Sequence, residues 1–180
     1  MSYKFTDLMV DLETLDTKPS AIILQIGWTF FNINGDRRHR NWGWHPNIDE
    51  QKELGATSSI DTQSWWMENA PEGWKRQVIA DRQGLSEVFH EMTQVWEGCA
   101  DENTRVWAKG THFDLPILKK FFPEPWGFRN IHDLRTLKLI GTLFDFEWDV
   151  KNEDAHNAVS DAEHQAKEAQ VIWNVLQSKR

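Results

Sequence analysis

The chain of 180 residues contains a single cysteine, Cys99, and no long run of apolar residues. One thiol cannot form a disulfide within the chain, and so low a cysteine content is typical of proteins from reducing compartments. No apolar segment approaches the length of a membrane-spanning helix, and the N-terminus lacks the basic-then-apolar pattern of a signal peptide. We therefore expect a cytoplasmic protein with no membrane partner.

Basic residues are also scarce relative to acidic ones. Lysine and arginine number 20 against 28 aspartates and glutamates, which gives a formal charge of −8. A general binder of polyanions is usually basic, so contact with nucleic acid would need a local basic patch. Arg37, Arg38 and Arg40 form one such cluster, although solvated edge strands often carry similar charges. The length and the lack of repeats or linker-like segments predict one domain over residues 1–180.

The stretch from Met9 to Leu15, with the sequence MVDLETL, has the two-residue period of a strand. Side chains two positions apart share a face, so Asp11 and Glu13 project together from an apolar strand. Two ionised carboxylates repel each other, and Mg²⁺ and Mn²⁺ prefer oxygen ligands of this kind. Two solvated acids at a strand end would give the same pattern, so a cation site needs further ligands.

The first third of the chain predicts an antiparallel meander of three strands. The first strand covers about Phe5 to Glu13, an apolar run extends from Ala21 to Ile33, and a third strand extends from Arg37 to Trp44. Asn34-Gly35 is a strong signal for a hairpin turn. Strands joined by short connections are antiparallel neighbours.

Helices are predicted to dominate residues 49–100. Asp61 is a candidate N-cap, Pro71 suits the first turn of the next helix, and an apolar face recurs at helical spacing from Leu85 to Trp96. The segment from Thr104 to Ala108 is then a candidate buried strand.

The remaining segments predict two short helices and one long C-terminal helix. The first covers about Leu115 to Phe121, Asp133 can cap the second, and residues 144–154 have the composition of an acidic loop. The C-terminal helix has a narrow stripe, rich in small residues, that would let it lie close to the sheet. The stripe consists of Val159, Ala162, Ala166, Ala169, Trp173 and Leu176.

Three further polar residues extend the possible site. Asp114 follows the candidate strand and a glycine-containing turn, where it could equally be a helix N-cap. Asp161 adjoins the apolar stripe at Ala162 and therefore lies at the edge of the buried face, the alternative being a solvated helix acid. His156 precedes Asp161 by five residues, in the loop before the helix, where a lone histidine is most often a surface residue.

Three segments in this order resemble the DnaQ-like (DEDDh) family of 3′→5′ exonucleases. They are Asp11-Leu12-Glu13-Thr14-Leu15, His112-Phe113-Asp114 and residues 156–162, with the sequence HNAVSDA. The chain looks most like the small stand-alone branch of DexA-type exonucleases and a related bacterial exoribonuclease, through residues 11–24, Trp65-Trp66 and residues 133–137. The resemblance implies a ribonuclease-H-like α/β fold. A mixed five-stranded sheet, combining the antiparallel meander with parallel strands, would be flanked by helices.

The resemblance also implies phosphodiester hydrolysis with two divalent metal ions, Mg²⁺ or Mn²⁺. Asp11 would bridge both ions, and Glu13 and Asp161 would complete one site. Asp114 would hold the second ion, directly or through water. His156 would be the general base for the attacking water, because imidazole changes its protonation close to neutral pH.

The implied substrate is single-stranded or 3′-overhang nucleic acid, with RNA slightly favoured over DNA. By the resemblance, Thr14 and Leu15 would contact the terminal nucleotide, and Phe113 would stack on a base. Lys109 departs from the asparagine that many relatives carry before the glycine of the second motif, and it could contact a phosphate or simply be solvated. A single-stranded DNA exonuclease and a polymerase-associated proofreading exonuclease are the alternatives.

The role of Trp65 and Trp66 stays open between core packing, a wedge beside the substrate and a dimer face. Eleven tryptophans in a small domain leave apolar surface to bury, and small relatives often pair, so we expect a homodimer. A non-catalytic binding module would need no metal cage, and a small-molecule phosphatase is a further alternative.

Overall fold

The computed structural model describes residues 3–35, 38–144, 146 and 150–178. Within these residues, five strands form one sheet: β1 (Asp7–Thr14), β2 (Ile23–Phe31), β3 (Arg40–Trp44), β4 (Arg105–Ala108) and β5 (Ile131–Asp133). The α-helices of this part of the chain are α1 (Ile48–Glu53), α2 (Ile60–Asn69), α3 (Pro71–Ile79), α4 (Leu85–Cys99), α5 (Thr111–Phe121), α6 (Leu134–Thr142) and α7 (Ala158–Ser178). No helix among the described residues is long and apolar enough to cross a membrane.

The sheet has the strand order β3-β2-β1-β4-β5. Its first three strands form the predicted antiparallel meander. On the other side of β1, β4 and β5 are added in parallel, and helices provide the crossover connections that parallel strands need. The prediction of a mixed five-stranded α/β fold is therefore confirmed, with β1 at the centre of the sheet.

The two-residue period of β1 divides its side chains between two cores. Leu8 and Val10 are fully buried in a cluster that includes residues of α4 and α5. Met9 is fully buried in a second cluster, on the opposite face, together with residues of α6 and α7. Asp11 and Glu13 share the parity of Met9, so the strand presents both acids to the face that α7 covers.

The stripe of small residues lets α7 lie directly against β1 and β2. Ala162, Ala166 and Ala169 are completely buried, as the spacing predicts. Gly27 on β2 allows the closest approach, because a Cβ atom at this position would lie 2.1 Å from the carbonyl oxygen of Ala158. The first turn of α7 is thereby placed next to the strand pair that carries the two acids.

Two predicted helix starts are wrong. The side chain of Ser59 caps α2, so Asp61 lies in the first turn and is not the N-cap. The helix α5 begins at Thr111, directly after Gly110, whose φ of 106° is a left-handed conformation that glycine adopts freely. Asp114 therefore lies inside the first turn of α5 and does not cap it.

The remaining element predictions differ from the structure by small shifts. β1 covers Asp7–Thr14, so it starts two residues later and ends one residue later than the strand predicted over Phe5 to Glu13. β3 starts at Arg40 and not at Arg37, which lies outside the described residues. Pro71 is the first residue of α3 and Asp133 caps α6, both as predicted. The described residues between 144 and 154 contain no helix or strand, in agreement with a loop.

Candidate active site

Three carboxylates converge where β1 meets the start of α7. Asp11 and Glu13 come from β1, and Asp161 lies in the first turn of α7. One oxygen from each side chain lies within 4.8 Å of an oxygen from each of the others. Oxygen ligands at this spacing can close around one hard divalent cation. The structure therefore brings together three of the four acids that the sequence motifs single out.

Asp114 lies beside this cluster, against the part of β1 that has no neighbouring strand on the β4 side. The parallel pairing of β4 with β1 ends where Ala108 meets Val10, so the rest of β1 has no strand on that side. The N–H of Leu12 donates to Oδ1 of Asp114 at 3.2 Å. The side chain is only 5% exposed. Asp114 thus adds a fourth carboxyl group, itself buried, next to the cluster.

Burial raises the pKa values of three acids at this site, and repulsion between carboxylates adds to the effect at Asp11 and Glu13. Burial is the largest cause of a pKa of Asp11 well above its usual range, and the neighbouring carboxylates add to it. Burial, followed by the charges of Asp161 and Asp114, raises the pKa of Glu13 to about 8. Burial also raises the pKa of Asp114 to about 7. The cluster therefore concentrates negative charge that a bound cation would relieve.

The loop before α7 holds the carboxylate of Asp161. Its Oδ2 accepts the backbone N–H of His156 at 2.8 Å, and its Oδ1 accepts the side-chain amide of Asn152 at 2.9 Å. The hydroxyl of Ser160 donates to Oδ1 of Asn152 at 3.0 Å and fixes that amide in turn. The orientation of Asp161 is therefore set within its own segment, before any cation binds.

Gln25 on β2 anchors the start of α7 to the sheet. It pairs with Glu13 across the antiparallel ladder. Its Oε1 accepts the N–H of Ala158 and the side-chain amide of Gln77, both at 3.0 Å, and its Nε2 donates to Oδ1 of Asn157 at 3.1 Å. Gln25, the partner of Glu13 on β2, thus holds the start of α7, which carries Asp161, against the sheet.

His156, in this loop, packs against two tryptophans of α2. Its φ of 63° is left-handed, which is uncommon for a residue other than glycine. The ring meets Trp65 and Trp66 edge-on, with centroid distances of 5.1 Å and 5.8 Å. The tight backbone turn and the two aromatic contacts place the imidazole at the cleft beside Glu13.

A cleft of about 470 Å³ opens beside Glu13, which is the member of the acidic cluster that lines it. Trp65, 43% exposed, and the half-buried Phe113 give it two aromatic surfaces. Trp66 is buried, and its Nε1 donates to the carbonyl oxygen of Thr14 at 2.9 Å. The lining residues are Leu12, Glu13, Thr14, Thr17, Ser59, Asp61, Thr62, Trp65, Trp66, Phe113 and His156.

The structure separates the substrate-binding residues that the resemblance implies. Thr14 and Phe113 line the cleft, whereas Leu15 is buried in a core cluster with Trp66 and does not line it. Lys109 is exposed just after β4 and is not among the lining residues. The two tryptophans differ in burial: Trp66 packs in the core beneath the cleft, as core packing predicts, whereas Trp65 is exposed at the cleft. A wedge or a dimer face at Trp65 stays a prediction.

Two interactions of the acidic cluster were not predicted from the sequence. The Nε2 of Gln165 donates to Oδ1 of Asp11 at 2.7 Å. Gln165 follows Asp161 by one helical turn, so helical spacing could have identified it. The positive charge of Arg76 on α3 lowers the pKa of Glu13, and its guanidinium pairs with Asp154 at 3.1 Å. No motif marks Arg76, because the contact depends on how α3 packs against the loop before α7.

The fold and the acidic cluster beside His156 agree with the DnaQ-like 3′–5′ exonuclease fold that the sequence motifs predict. Residues 6–173 match the family model of the 3′-5′ exoribonuclease Rv2179c-like domain. The chain therefore belongs to this family. No curated protein matches the chain in sequence.

Solved exonuclease structures share the fold at low sequence identity. The zinc-bound complex of E. coli exonuclease I with single-stranded DNA is 12% identical, with a TM-score of 0.66 over 97% of this chain and 42% of that one. Cell-death related nuclease 4 is 16% identical, with a TM-score of 0.59 over 96% of this chain and 65% of that one. The chain thus spans less than two thirds of either structure, and the likeness establishes the fold alone.

Proposed function

We propose that the protein removes nucleoside monophosphates from the 3′ ends of single-stranded or 3′-overhang nucleic acid, in a reaction that requires divalent metal. One observation carries this proposal: Asp11, Glu13 and Asp161 converge beside a cleft that also contains His156. The cleft is open and has aromatic and polar walls, which suits a strand end whose bases can stack without sequence preference.

The donor set fits hard divalent cations. The clustered acids offer only oxygen ligands, and the raised pKa values of Asp11 and Glu13 show that their surroundings disfavour a negative charge when no cation is present. We assign Asp11, Glu13 and Asp161 to one Mg²⁺ or Mn²⁺ ion. Asp11 and Asp114 would hold a second. Bound in this way, two ions stabilise the developing charge on the phosphate and on the leaving oxygen.

The other residues of the cleft would hold the strand end and move a proton. We assign His156 as the general base that takes the proton of the attacking water, since the imidazole lies at the cleft beside Glu13. The faces of Trp65 and Phe113 would stack on bases, and Thr14 would contact the terminal nucleotide. Lys109, exposed near the end of β4, would contact a phosphate further along the strand.

RNA is the favoured substrate, and single-stranded DNA is the second candidate. The family description is that of an exoribonuclease, which supports RNA. The single-stranded DNA bound to the structurally similar exonuclease I supports the alternative. A homodimer stays a prediction. A reducing, cytoplasmic setting is also a prediction, based on the one cysteine, Cys99, which is free and buried.

Digestion of 5′-labelled strands tests the proposal. Matched RNA and DNA oligonucleotides, single-stranded or with a 3′ overhang, are incubated with Mg²⁺, with Mn²⁺ or with a chelator. We expect a ladder that shortens from the 3′ end, release of nucleoside monophosphates, and faster digestion of RNA. Cleavage of a circular single strand, or digestion that persists in chelator, would contradict the proposal. Equal or faster digestion of DNA would favour the second candidate.

A matched pair of variants links the reaction to the acidic cluster. Asp11→Asn keeps the shape of the side chain but removes the charge that both assigned ions share, so turnover should fall to background. Asp81→Asn, in the loop after α3, is the control and should digest RNA at the wild-type rate. Turnover of Asp11→Asn within a few-fold of wild type would show that the metal assignment is wrong.

A further inference from the structure

Gln165 contacts the acidic cluster from α7, one helical turn beyond Asp161. Its Nε2 donates to Oδ1 of Asp11 at 2.7 Å, and its side chain is only 6% exposed. We propose that Gln165 is a positioning residue that orients the Asp11 carboxylate for cation binding. This inference rests on the proposed metal-dependent activity and assigns Gln165 no contact with the substrate.

A neutral amide donor suits a carboxylate that must also bind a cation. A lysine or arginine at position 165 would bring its own positive charge to Asp11 and compete with the metal. An apolar side chain would leave the carboxylate free to rotate. The Gln165 amide contacts one oxygen of the Asp11 carboxylate, Oδ1, and adds no net charge to the site. Partners that orient metal ligands in this way typically change metal affinity 10- to 100-fold when removed.

The same hydrogen bond relates two metal-binding elements. Asp161 and Gln165 are four residues apart, so both side chains leave α7 on the same face. One contributes a carboxylate to the cluster, and the other is bonded to a second carboxylate of that cluster on β1. The contact therefore fixes the spacing between Asp11 and Asp161, which a cation with tight geometry requires.

The second polar atom of Gln165 indicates that this residue is not present for stability alone. Its Oε1 is buried and has no hydrogen-bond partner among the described residues. A buried acceptor without a partner costs folding free energy, so an apolar side chain of similar length would be tolerated here. A residue that lowers stability while contacting a metal-binding carboxylate is best explained by its effect on that carboxylate.

Calorimetric titration of Mn²⁺ into the full chain, without nucleic acid, tests the proposal. Gln165→Met keeps the length of the side chain and removes the donor, and Gln165→Asn keeps the amide but is too short to reach Asp11. Gln170→Met is the matched control. Gln170 is also a buried amide on α7, but its Nε2 donates to the carbonyl oxygen of Asn32 at 2.8 Å, away from the acids.

We expect Mn²⁺ to bind both Gln165 variants 10- to 100-fold more weakly than wild type. The melting temperature of metal-free Gln165→Met should stay close to that of wild type, whereas Gln170→Met should melt earlier and bind Mn²⁺ normally. If Gln165→Met does not fold, the shorter Gln165→Asn provides the comparison. Wild-type Mn²⁺ affinity in a folded Gln165 variant overturns the inference and leaves the proposed function standing. Absence of Mn²⁺ binding by the wild type overturns both.

Discussion

Replacing Glu13 by glutamine should stabilise the metal-free protein at alkaline pH while abolishing its turnover. The Glu13 side chain is 8% exposed, and burial is the largest cause of its raised pKa. The charges of Asp161 and Asp114 raise it further, and Arg76 offsets only part of the effect. The carboxylate is therefore held in a place that disfavours its charge unless a cation is bound.

The size of this effect follows from the two protonation equilibria. The pKa of Glu13 rises from its ordinary value of 4.5 to about 8 on folding. Between these values the folded state binds more protons than the unfolded state, so stability falls as the pH rises through this window. At pH 8 the loss reaches about 4 kcal/mol, and below pH 4.5 it vanishes. Glutamine cannot ionise and has nearly the same shape, so it avoids the loss.

Urea unfolding followed by tryptophan fluorescence measures the prediction. Wild type, Glu13→Gln and the control Glu53→Gln, at an exposed position of α1, are compared at pH 5 and pH 8 in chelator. We expect Glu13→Gln to gain about 2–4 kcal/mol over wild type at pH 8, and less than about 1 kcal/mol at pH 5. The control should follow wild type at both values. A variant that is less stable than wild type at pH 8, or a difference independent of pH, would refute the electrostatic reasoning.

The remaining predictions concern the histidine, the close approach of α7 and the aromatic wall. His156→Asn, which tolerates a left-handed backbone, should lose about 10²–10⁴-fold in turnover and still bind Mn²⁺ in calorimetry, and an unchanged rate would remove His156 from the mechanism. Gly27→Ala should lower the free energy of unfolding, measured in urea, by about 1–3 kcal/mol or more, because its Cβ would overlap the Ala158 carbonyl, and wild-type stability would contradict the packing. Trp65→Ala should raise KM for a single-stranded RNA about 10-fold with little change in kcat, as expected for a lost stacking contact. An unchanged KM in steady-state kinetics would show that Trp65 does not contact the substrate.

The paired acids on β1 could be predicted from the sequence because strand parity is a local property. Asp11 and Glu13 lie on the same face of the strand because they are two residues apart. The stripe of small residues on α7 likewise predicts close packing from the sequence of the helix alone. Parity does not extend past the end of the strand at Thr14, and the contact of Leu15 with the terminal nucleotide was implied by the resemblance alone. The register between β1 and β2 shifts between Glu13 and Thr14, and Leu15 turns into the core instead of toward the cleft. A register shift depends on two strands, so one strand's pattern cannot reveal it.

Contacts between distant segments account for most of what the sequence could not supply. The hydrogen bonds of Gln25 join β2 to α3 and to the start of α7, and these residues lie 52 and 133 positions away along the chain. Side-chain amides of this kind belong to no periodic pattern or motif, so their contacts could not be predicted from the sequence. β5 was missed for a different reason: three half-buried residues are too few to establish an alternation.

The location of the site follows from the unequal lengths of the two central strands. β4 ends opposite Val10, whereas β1 continues to Thr14 and keeps its pairing with β2. Beyond Val10, the backbone of β1 is therefore paired with β2 on one side and has no strand beside it on the other. An unpaired edge needs hydrogen-bond partners, and Asp114 supplies one by accepting the N–H of Leu12. A β4 strand extended alongside Leu12 would take that N–H itself and leave no room for Asp114. The early end of β4 is therefore what admits a fourth carboxylate to the cluster, and a chain with a longer β4 would need another source for that charge.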